Sequence, residues 1–486
     1  MIASRHTSAA LLLALAALAL RCWDFGNPVI HVDEQYYLLV GDRMLHGALP
    51  YVDIWDRKPI GLFLIFAGIR LLPGDGILAY QLVATAFAAA TAWCVWRGAR
   101  MIGAAPLGAL AAGGAYLIWV SLLGGRGGQS PVFYNLLMTA AILLVLRLPR
   151  LADRRAVGAV MASGAAVCLL AGLAIQIKYT PVFEGAFFGL AHIWYLRRAR
   201  ASLALTGSAA LLWMAIGAAP SLVVTGFYQG LGGRAVDAFW FANVTSIFLR
   251  PGYPIEQLLM RLLGIFAQLL PLIVAGIYGW SARSRGPQSR ETWLASLWTA
   301  SAVTGFAAIG TFFDHYALPL VAPFAMLAAP TLGRGWRIAG RALAIGLAIL
   351  LVRGAIRPND APGARAVARL VALNSRGACP YVFIGDTITY RLADSCLPTA
   401  YAFPNLLAYT TEQGATGIDE AAEVRRILSH RPPVILSSTR RLAIWNPASV
   451  AELRPVLARD YRVVFSTPRE NYRTLVYLRR DLPLRH

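Results

Sequence analysis

Apolar windows follow one another from the N-terminus to Arg353, most of them close to the roughly 20 residues that cross a hydrocarbon core of ~30 Å. They fall at 8–23, 77–96, 104–121, 131–147, 156–177, 181–196, 203–225, 257–280, 292–310, 317–332 and 339–353, and predict eleven transmembrane helices. No small-x-small cleavage site precedes Trp23-Asp24, so the first window reads as an uncleaved anchor. Two further elements are expected between the first two windows. Residues 35–45 carry apolar positions at helical spacing, and Pro59 opens a second apolar run to Leu72; both read as interfacial helices. After Arg353 the pattern turns polar. Short strand-like runs at 380–385, 433–437, 461–466 and 473–478, with a mixed-charge helical stretch at 418–429, predict a small α/β domain. The expected organisation is a polytopic domain over 1–355 and an α/β domain over 356–486.

Composition supports lipid as the main solvent. The 486 residues are 57% hydrophobic and 14% charged, against about 25% charged in soluble domains. An ordinary soluble enzyme and a disordered chain are both excluded. The net charge of +21 would point to nucleic acid in a soluble protein. Here the arginines gather in alternate loops, at Arg97 and Arg100, Arg147 to Arg155, Arg197 to Arg200, Arg283 to Arg290, and Arg334 to Arg341. The intervening loops hold Asp24, Asp33, Glu34, Asp42, Asp53, Asp56, Asp75, Asp237, Glu256 and Asp314. By the positive-inside rule the N-terminus is cytoplasmic, the C-terminus is outside, and no nucleic-acid partner is implied.

The candidate chemistry lies in the acidic, outer loops. The first contains His31-Val32-Asp33-Glu34-Gln35-Tyr36-Tyr37 and, later, Pro50-Tyr51-Val52-Asp53-Ile54-Trp55-Asp56-Arg57-Lys58-Pro59. Adjacent carboxylates at a membrane surface are costly unless they face water or partners. Asp33 and Glu34 are candidate catalytic groups; the bland alternative has Asp33 capping the following helix. Lys58 and Lys178 are the only lysines in an arginine-rich chain, which suits a compact ammonium neutralising a phosphate. Lys178 ends a span and could also simply snorkel. Asp314-His315-Tyr316 forms a third outer turn in which His315 could meet an anion. Arg126 lies in the glycine-rich turn Gly124-Gly125-Arg126-Gly127-Gly128-Gln129, read as a flexible turn because it lacks the strand and helix of a phosphate loop. Arg234, Arg250 and Tyr253 occupy a long loop, 226–256, able to close over a substrate. Asp386 and Arg391 read as surface or packing residues. Cys379 and Cys396, in an oxidising compartment, are spaced to pair in a bridge of roughly 3 kcal/mol, two buried thiols being the alternative. Walker, GxSxG and HExxH motifs are absent, and intramembrane charge looks too scarce for a proton-coupled transporter.

Asp33-Glu34 after the first span, Pro50-Tyr51…Trp55-Asp56-Arg57-Lys58-Pro59, Gly172-Leu173-Ala174…Lys178, and Asp314-His315-Tyr316…Pro319 together resemble the GT-C membrane glycosyltransferases. The resemblance extends to the protein O-mannosyltransferase and lipid A aminoarabinose transferase group. Relatives often place an acid directly before Lys-Pro; here that position is Arg57, with Asp56 one residue earlier. The resemblance implies an inverting sugar transfer from a polyprenyl-phosphate donor to a lipid, polysaccharide or protein acceptor at the periplasmic face of a bacterial inner membrane. It implies Asp33 as base and Glu34 as orienting the acceptor or Asp33 itself, with Lys58, Lys178 and His315 on the donor phosphate. Tyr36, Tyr37, Tyr51, Asp56, Arg126, Asp314, Tyr316 and Arg250 would line the substrate. No essential cofactor is implied, a divalent metal on the outer carboxylates being the alternative. A flippase for a lipid-linked saccharide is the competing class, and a non-catalytic scaffold a third.

Overall fold

The computed structural model describes residues 2–440, 442 and 444–486, with side chains from Thr7 onward. The chain forms two compact units. The first comprises the chain up to Asp24 with Gln81–Val224 and Pro254–Ala355; the second comprises Phe25–Tyr80, Thr225–Tyr253 and Ile356–His486.

The first unit is helical throughout. Among the described residues, nine helices of the whole chain are long and apolar enough to cross a membrane: Thr7–Asp24, Ile77–Met101, Ser130–Asp153, Val157–Ile175, Leu203–Gly230, Ile255–Arg283, Ser289–Ile309, Asp314–Leu332 and Trp336–Ile356. The windows at 104–121 and 181–196 are also helices, Pro106–Leu122 and Pro181–Arg198. The former is short at 17 residues, and the latter carries Glu184 and His192 within it. Proline opens both, at the one helical position where its missing N–H costs nothing. Small residues set the closest crossings. A Cβ on Gly172 would strike the Gly217 carbonyl, and one on Gly108 would meet the Gly333 backbone nitrogen at 2.6 Å. Leu211, Leu212, Leu222 and Val223 stay exposed along one helix, as lipid-facing positions do. The molecule is therefore a multi-pass membrane protein.

The second unit contains a four-stranded sheet of order β1-β2-β4-β3, with β1 (Tyr381–Val382), β2 (Val434–Ser438), β3 (Tyr461–Arg469) and β4 (Tyr472–Arg479). β1 runs parallel to β2, whereas β4 pairs antiparallel with β2 and β3. Phe383, Ile384, Leu407, Val424, Ile427, Ile435, Leu453 and Tyr461 form the core beside the sheet. The strand expected at 380–385 keeps only two residues in the ladder. The amides of Phe383 and Ile384 both turn onto the Leu436 carbonyl, at 3.0 and 3.4 Å, which ends regular pairing. The helix expected at 418–429 runs over Glu420–Ser429, because Gly417 adopts φ +78° and Asp419 caps the Ala422 amide at 3.0 Å.

The two elements expected between the first two windows are helices, Val32–Leu45 and Ile60–Arg70. They cross at Gly41, where a Cβ would lie 2.6 Å from the Ala67 amide nitrogen.

Candidate functional site

The Asp33-Glu34 pair occupies the first turn of helix Val32–Leu45. Its N-cap is His31, whose Nδ1 accepts the Asp33 N–H at 3.2 Å. The alternative in which Asp33 itself caps the helix is thereby corrected: the acceptor arrives two residues earlier, leaving the Asp33 carboxylate outside the cap. That carboxylate lies 3.7 Å from His31 Nδ1. Burial chiefly holds the imidazole below its usual pKa, with Asp33 opposing and Lys58 adding to the depression. The two carboxylates differ in setting: the Asp33 side chain keeps 16% exposure, while Glu34 is fully buried.

Lys58 belongs to a turn built by its neighbours. Asp56 Oδ1 accepts the Arg57 and Lys58 amides at 2.6 and 3.2 Å and lies 3.6 Å from Lys58 Nζ. The Tyr51 hydroxyl donates to the Lys58 carbonyl, and the Tyr36 hydroxyl to the Trp55 carbonyl, each at 2.8 Å. Lys58 Nζ stands 5.0 Å from the centroid of the Tyr37 ring. Tyr36, Tyr37 and Tyr51 are thus buried supports of the turn. Burial, and Asp56 after it, push the Tyr36 phenol well above its usual range, so it remains a donor.

Arg250 donates to Glu412 Oε1 at 2.7 Å, and the second oxygen of Glu412 takes Arg57 Nη1. Arg57 also reaches Ser246 Oγ and the Ala415 carbonyl, both at 3.1 Å. Burial lowers its pKa while Glu412 opposes. Cys379 and Cys396 form a disulfide. Asp386 and Arg391, read from the sequence as surface or packing residues, are partners in buried and half-buried ion pairs with Arg469 and Asp42.

In the first unit, Lys178 follows helix Val157–Ile175, and its Nζ stands 4.0 Å from the Tyr316 ring centroid. Asp314-His315-Tyr316 forms a 3-10 turn, Asp314–Ala317. His315 packs edge-on to Tyr316 at 4.5 Å and nearly parallel to Phe313 at 5.8 Å. Arg261 lies 4.0 Å from the Phe313 centroid and donates to the Thr311 carbonyl at 2.8 Å.

The glycine-rich turn is pinned, which corrects its reading as flexible. Arg21, only 1% exposed, donates to the Gly125 and Gly127 carbonyls at 2.5 and 2.7 Å and to Thr85 Oγ1 at 3.1 Å. A buried guanidinium needs acceptors on every edge, and a turn without side chains can bring its carbonyls that close. Arg126 points to Asp24 at 3.2 Å, and Gly124 backs onto His315.

Sequence reasoning missed Arg21, Arg261, Glu412 and Glu184. Glu184 is buried and accepts the Trp298 indole N–H at 2.6 Å. The available signals were an arginine closing an apolar window and an acid three residues after Pro181. Among the described residues no group of three or more His, Cys, Asp or Glu side chains is disposed to hold a metal.

No protein-family model and no curated protein sequence matches this chain. Solved structures do. ArnT from Cupriavidus metallidurans bound to undecaprenyl phosphate is similar at TM-score 0.62 and 15% identity, over 97% of each chain. Its apo form gives 0.59 at 15% identity, over 97% of this chain and 98% of that one. The Archaeoglobus fulgidus oligosaccharyltransferase tethered to an acceptor peptide gives 0.52 at 13% identity, over 96% of this chain and 73% of its own. At such identities the likeness establishes the fold, and the chain has the GT-C-like fold of these membrane enzymes.

Proposed function

We propose that this protein is an inverting glycosyltransferase that moves a sugar from a polyprenyl-phosphate-linked donor to a lipid, polysaccharide or protein hydroxyl, on the outer face of a bacterial inner membrane. The observation that carries the reading is the Asp33 carboxylate. It is partly exposed at the start of a helix whose residues 34–42 are buried, beside the His31 cap, whose imidazole is acted on by both Asp33 and Lys58. The GT-C-like fold supports it, since one neighbour was captured with undecaprenyl phosphate and another with an acceptor peptide. Eleven spans with the N-terminus inside and the C-terminus outside are part of the proposal, as are a catalytic membrane domain over 1–355 and a periplasmic domain over 356–486.

In the reaction, the acceptor oxygen attacks the anomeric carbon from the face opposite the phosphate. The new C–O bond forms as the anomeric carbon–phosphate oxygen bond breaks, and the electron pair leaves with polyprenyl phosphate. Asp33 receives the acceptor proton, a service contributing typically about 10²–10⁴-fold. Glu34 orients Asp33 through the shared helical turn. Lys58 offsets the charge that grows on the leaving phosphate, the step for which fixed cations are most effective; Lys178 and His315 are given the same role by the family resemblance of the sequence alone. Tyr316 holds Lys178 through its ring face, and Tyr37 does the same for Lys58. No cofactor takes part in this scheme.

Reconstituted protein given a radiolabelled polyprenyl-phosphate sugar should transfer label covalently to an acceptor. Asp33→Asn should lower turnover by about 10²–10⁴-fold with membrane insertion intact; near-normal turnover would reject Asp33 as the base. The flippase reading draws on Glu184 and His192, which are buried within a helix of the membrane unit. It predicts label that changes leaflet without changing covalent partner.

A further inference from the structure

We infer that the disulfide-bounded segment between Cys379 and Cys396 is the positioning element of the helix that carries Asp33 and Glu34, and that Gln35 and Asp386 are the positioning residues through which it acts. The inference rests on the transfer reading above for its catalytic consequence, and on geometry alone for the positioning.

Helix Val32–Leu45 is gripped at both ends from this one segment. Near its start, Gln35 Nε2 donates to Asp386 Oδ1 at 2.9 Å, and Gln35 Oε1 takes the Ile388 amide at 3.4 Å. Near its end, Arg391 Nε lies 2.9 Å from Asp42 Oδ1, and Arg43 Nη2 donates to the Ser395 carbonyl at 2.5 Å. Asp386, Ile388, Arg391 and Ser395 all fall inside the 17-residue separation closed by the disulfide. Gln35 and Asp42 are seven positions, or two turns, apart and therefore share a helical face.

Asp386 is itself fixed. Arg469, 4% exposed, reaches it through Nε at 3.1 Å and spends Nη2 on the Val29 carbonyl at 3.1 Å, just before the helix begins. A side-chain amide between a carboxylate and a backbone N–H has one orientation only, because its NH₂ must face Asp386 and its oxygen the Ile388 amide. Gln35 therefore sets both the rotation and the axial position of the helix, two residues from Asp33. Opening the disulfide lengthens the tether that holds all four contacts and releases the helix start.

The test uses full-length protein in lipid nanodiscs. Gln35→Glu sets a carboxylate against Asp386, and Gln35→Leu removes both bonds of the amide; in each, Asp386 keeps its bonds to Arg469. Gln35→Glu should lower kcat roughly 10- to 100-fold, the scale on which small misplacements of a reacting group act. KM for the donor should stay within about twofold, and Gln35→Leu should show the same split between kcat and KM. Paired Cys379→Ser and Cys396→Ser should lower kcat and raise amide exchange over residues 32–45, with exchange in the transmembrane helices unchanged. Unchanged kcat in Gln35→Glu or in Gln35→Leu, or unaltered exchange over 32–45 in the cysteine pair, would each overturn the inference. Wild-type protein that transfers no label would refute the transfer reading, and the exchange measurement would still decide the positioning role.

Discussion

The buried triad of Asp360, Arg469 and Asp386 gives the most quantitative handle on the second unit. Arg469 Nη1 bonds Asp360 Oδ2 at 2.5 Å, Nε and Nη2 bond Asp386 at about 3.1 Å, and all three side chains are at most 10% exposed. Burial by itself would depress the guanidinium, yet Asp386 first and Asp360 with it hold its pKa above the usual value, so the cation is fully charged. Arg469→Met removes that charge and leaves two carboxylates close together in the same buried setting. Removing one partner of a buried pair costs about 3–5 kcal/mol, chiefly through the uncompensated charge left behind. Here the two carboxylates also repel, which places the expected loss in the upper half of that range. The assay is native-state amide exchange in β3 and β4, which reads the free energy of local opening. Arg469→Met should reduce that opening energy by about 4–5 kcal/mol. Adding Asp360→Asn and Asp386→Asn should recover most of it, because no buried charge then remains unpaired. A loss below about 1 kcal/mol in the single variant, or a triple variant less stable than the single one, would refute this account of the cluster.

Two further outcomes are expected. Burial depresses the His31 pKa, so the folded state prefers the neutral imidazole whose Nδ1 accepts the Asp33 amide; its contribution is complete above the unfolded value of about 6.5 and is lost as pH falls through and below it. Exchange over residues 32–37, corrected for intrinsic rate, should rise between about pH 7.5 and about pH 5, and His31→Asn, which caps without titrating, should flatten that dependence; equal slopes in both proteins would contradict it. In the paired helices, Gly41→Ala should destabilise by about 1–3 kcal/mol because its Cβ would meet the Ala67 amide nitrogen at 2.6 Å. Gly68→Ala, with open space around it, should stabilise by about 0.5–1 kcal/mol, and thermal unfolding of the two variants should move in opposite directions.

The membrane helices were legible because hydrocarbon thickness fixes the length of an apolar run, and each of the eleven windows is a helix in the structure. The α/β segment was legible for β2, a short apolar run buried at every position, and for β3 and β4, the latter with alternating burial, and less so for β1, where pairing stops at a shared carbonyl. Long-range polar contacts were not legible. Arg57 and Glu412 are separated by 355 positions, and Arg21 and Gly127 by 106; no local pattern couples them. The pinned glycine turn was misread for this reason, since the arginine that orders it lies at the end of another helix. The carboxylate pair was legible as adjacency, but the difference in burial between Asp33 and Glu34 follows from helix phase and from which face is covered.

That phase also explains why chemistry and support can share one helix of 14 residues. Positions 33, 36 and 37 fall on one face at the i, i+3, i+4 spacing. Asp33 presents the carboxylate there, the Tyr36 hydroxyl holds the Trp55 carbonyl of the Lys58 turn, and the Tyr37 ring lies under Lys58 Nζ. Positions 35 and 42 lie about 160–180° from Asp33 at 100° per residue, and take Asp386 and Arg391. The carboxylate and the cation are thus registered to each other by a single rigid face, while the supporting contacts approach from behind. A change on the supporting face should move Asp33 and the Lys58 turn together, whereas a change at Tyr36 should move the turn alone. The two classes of variant are therefore expected to separate in kinetics: the first in turnover, the second in the response to the leaving phosphate.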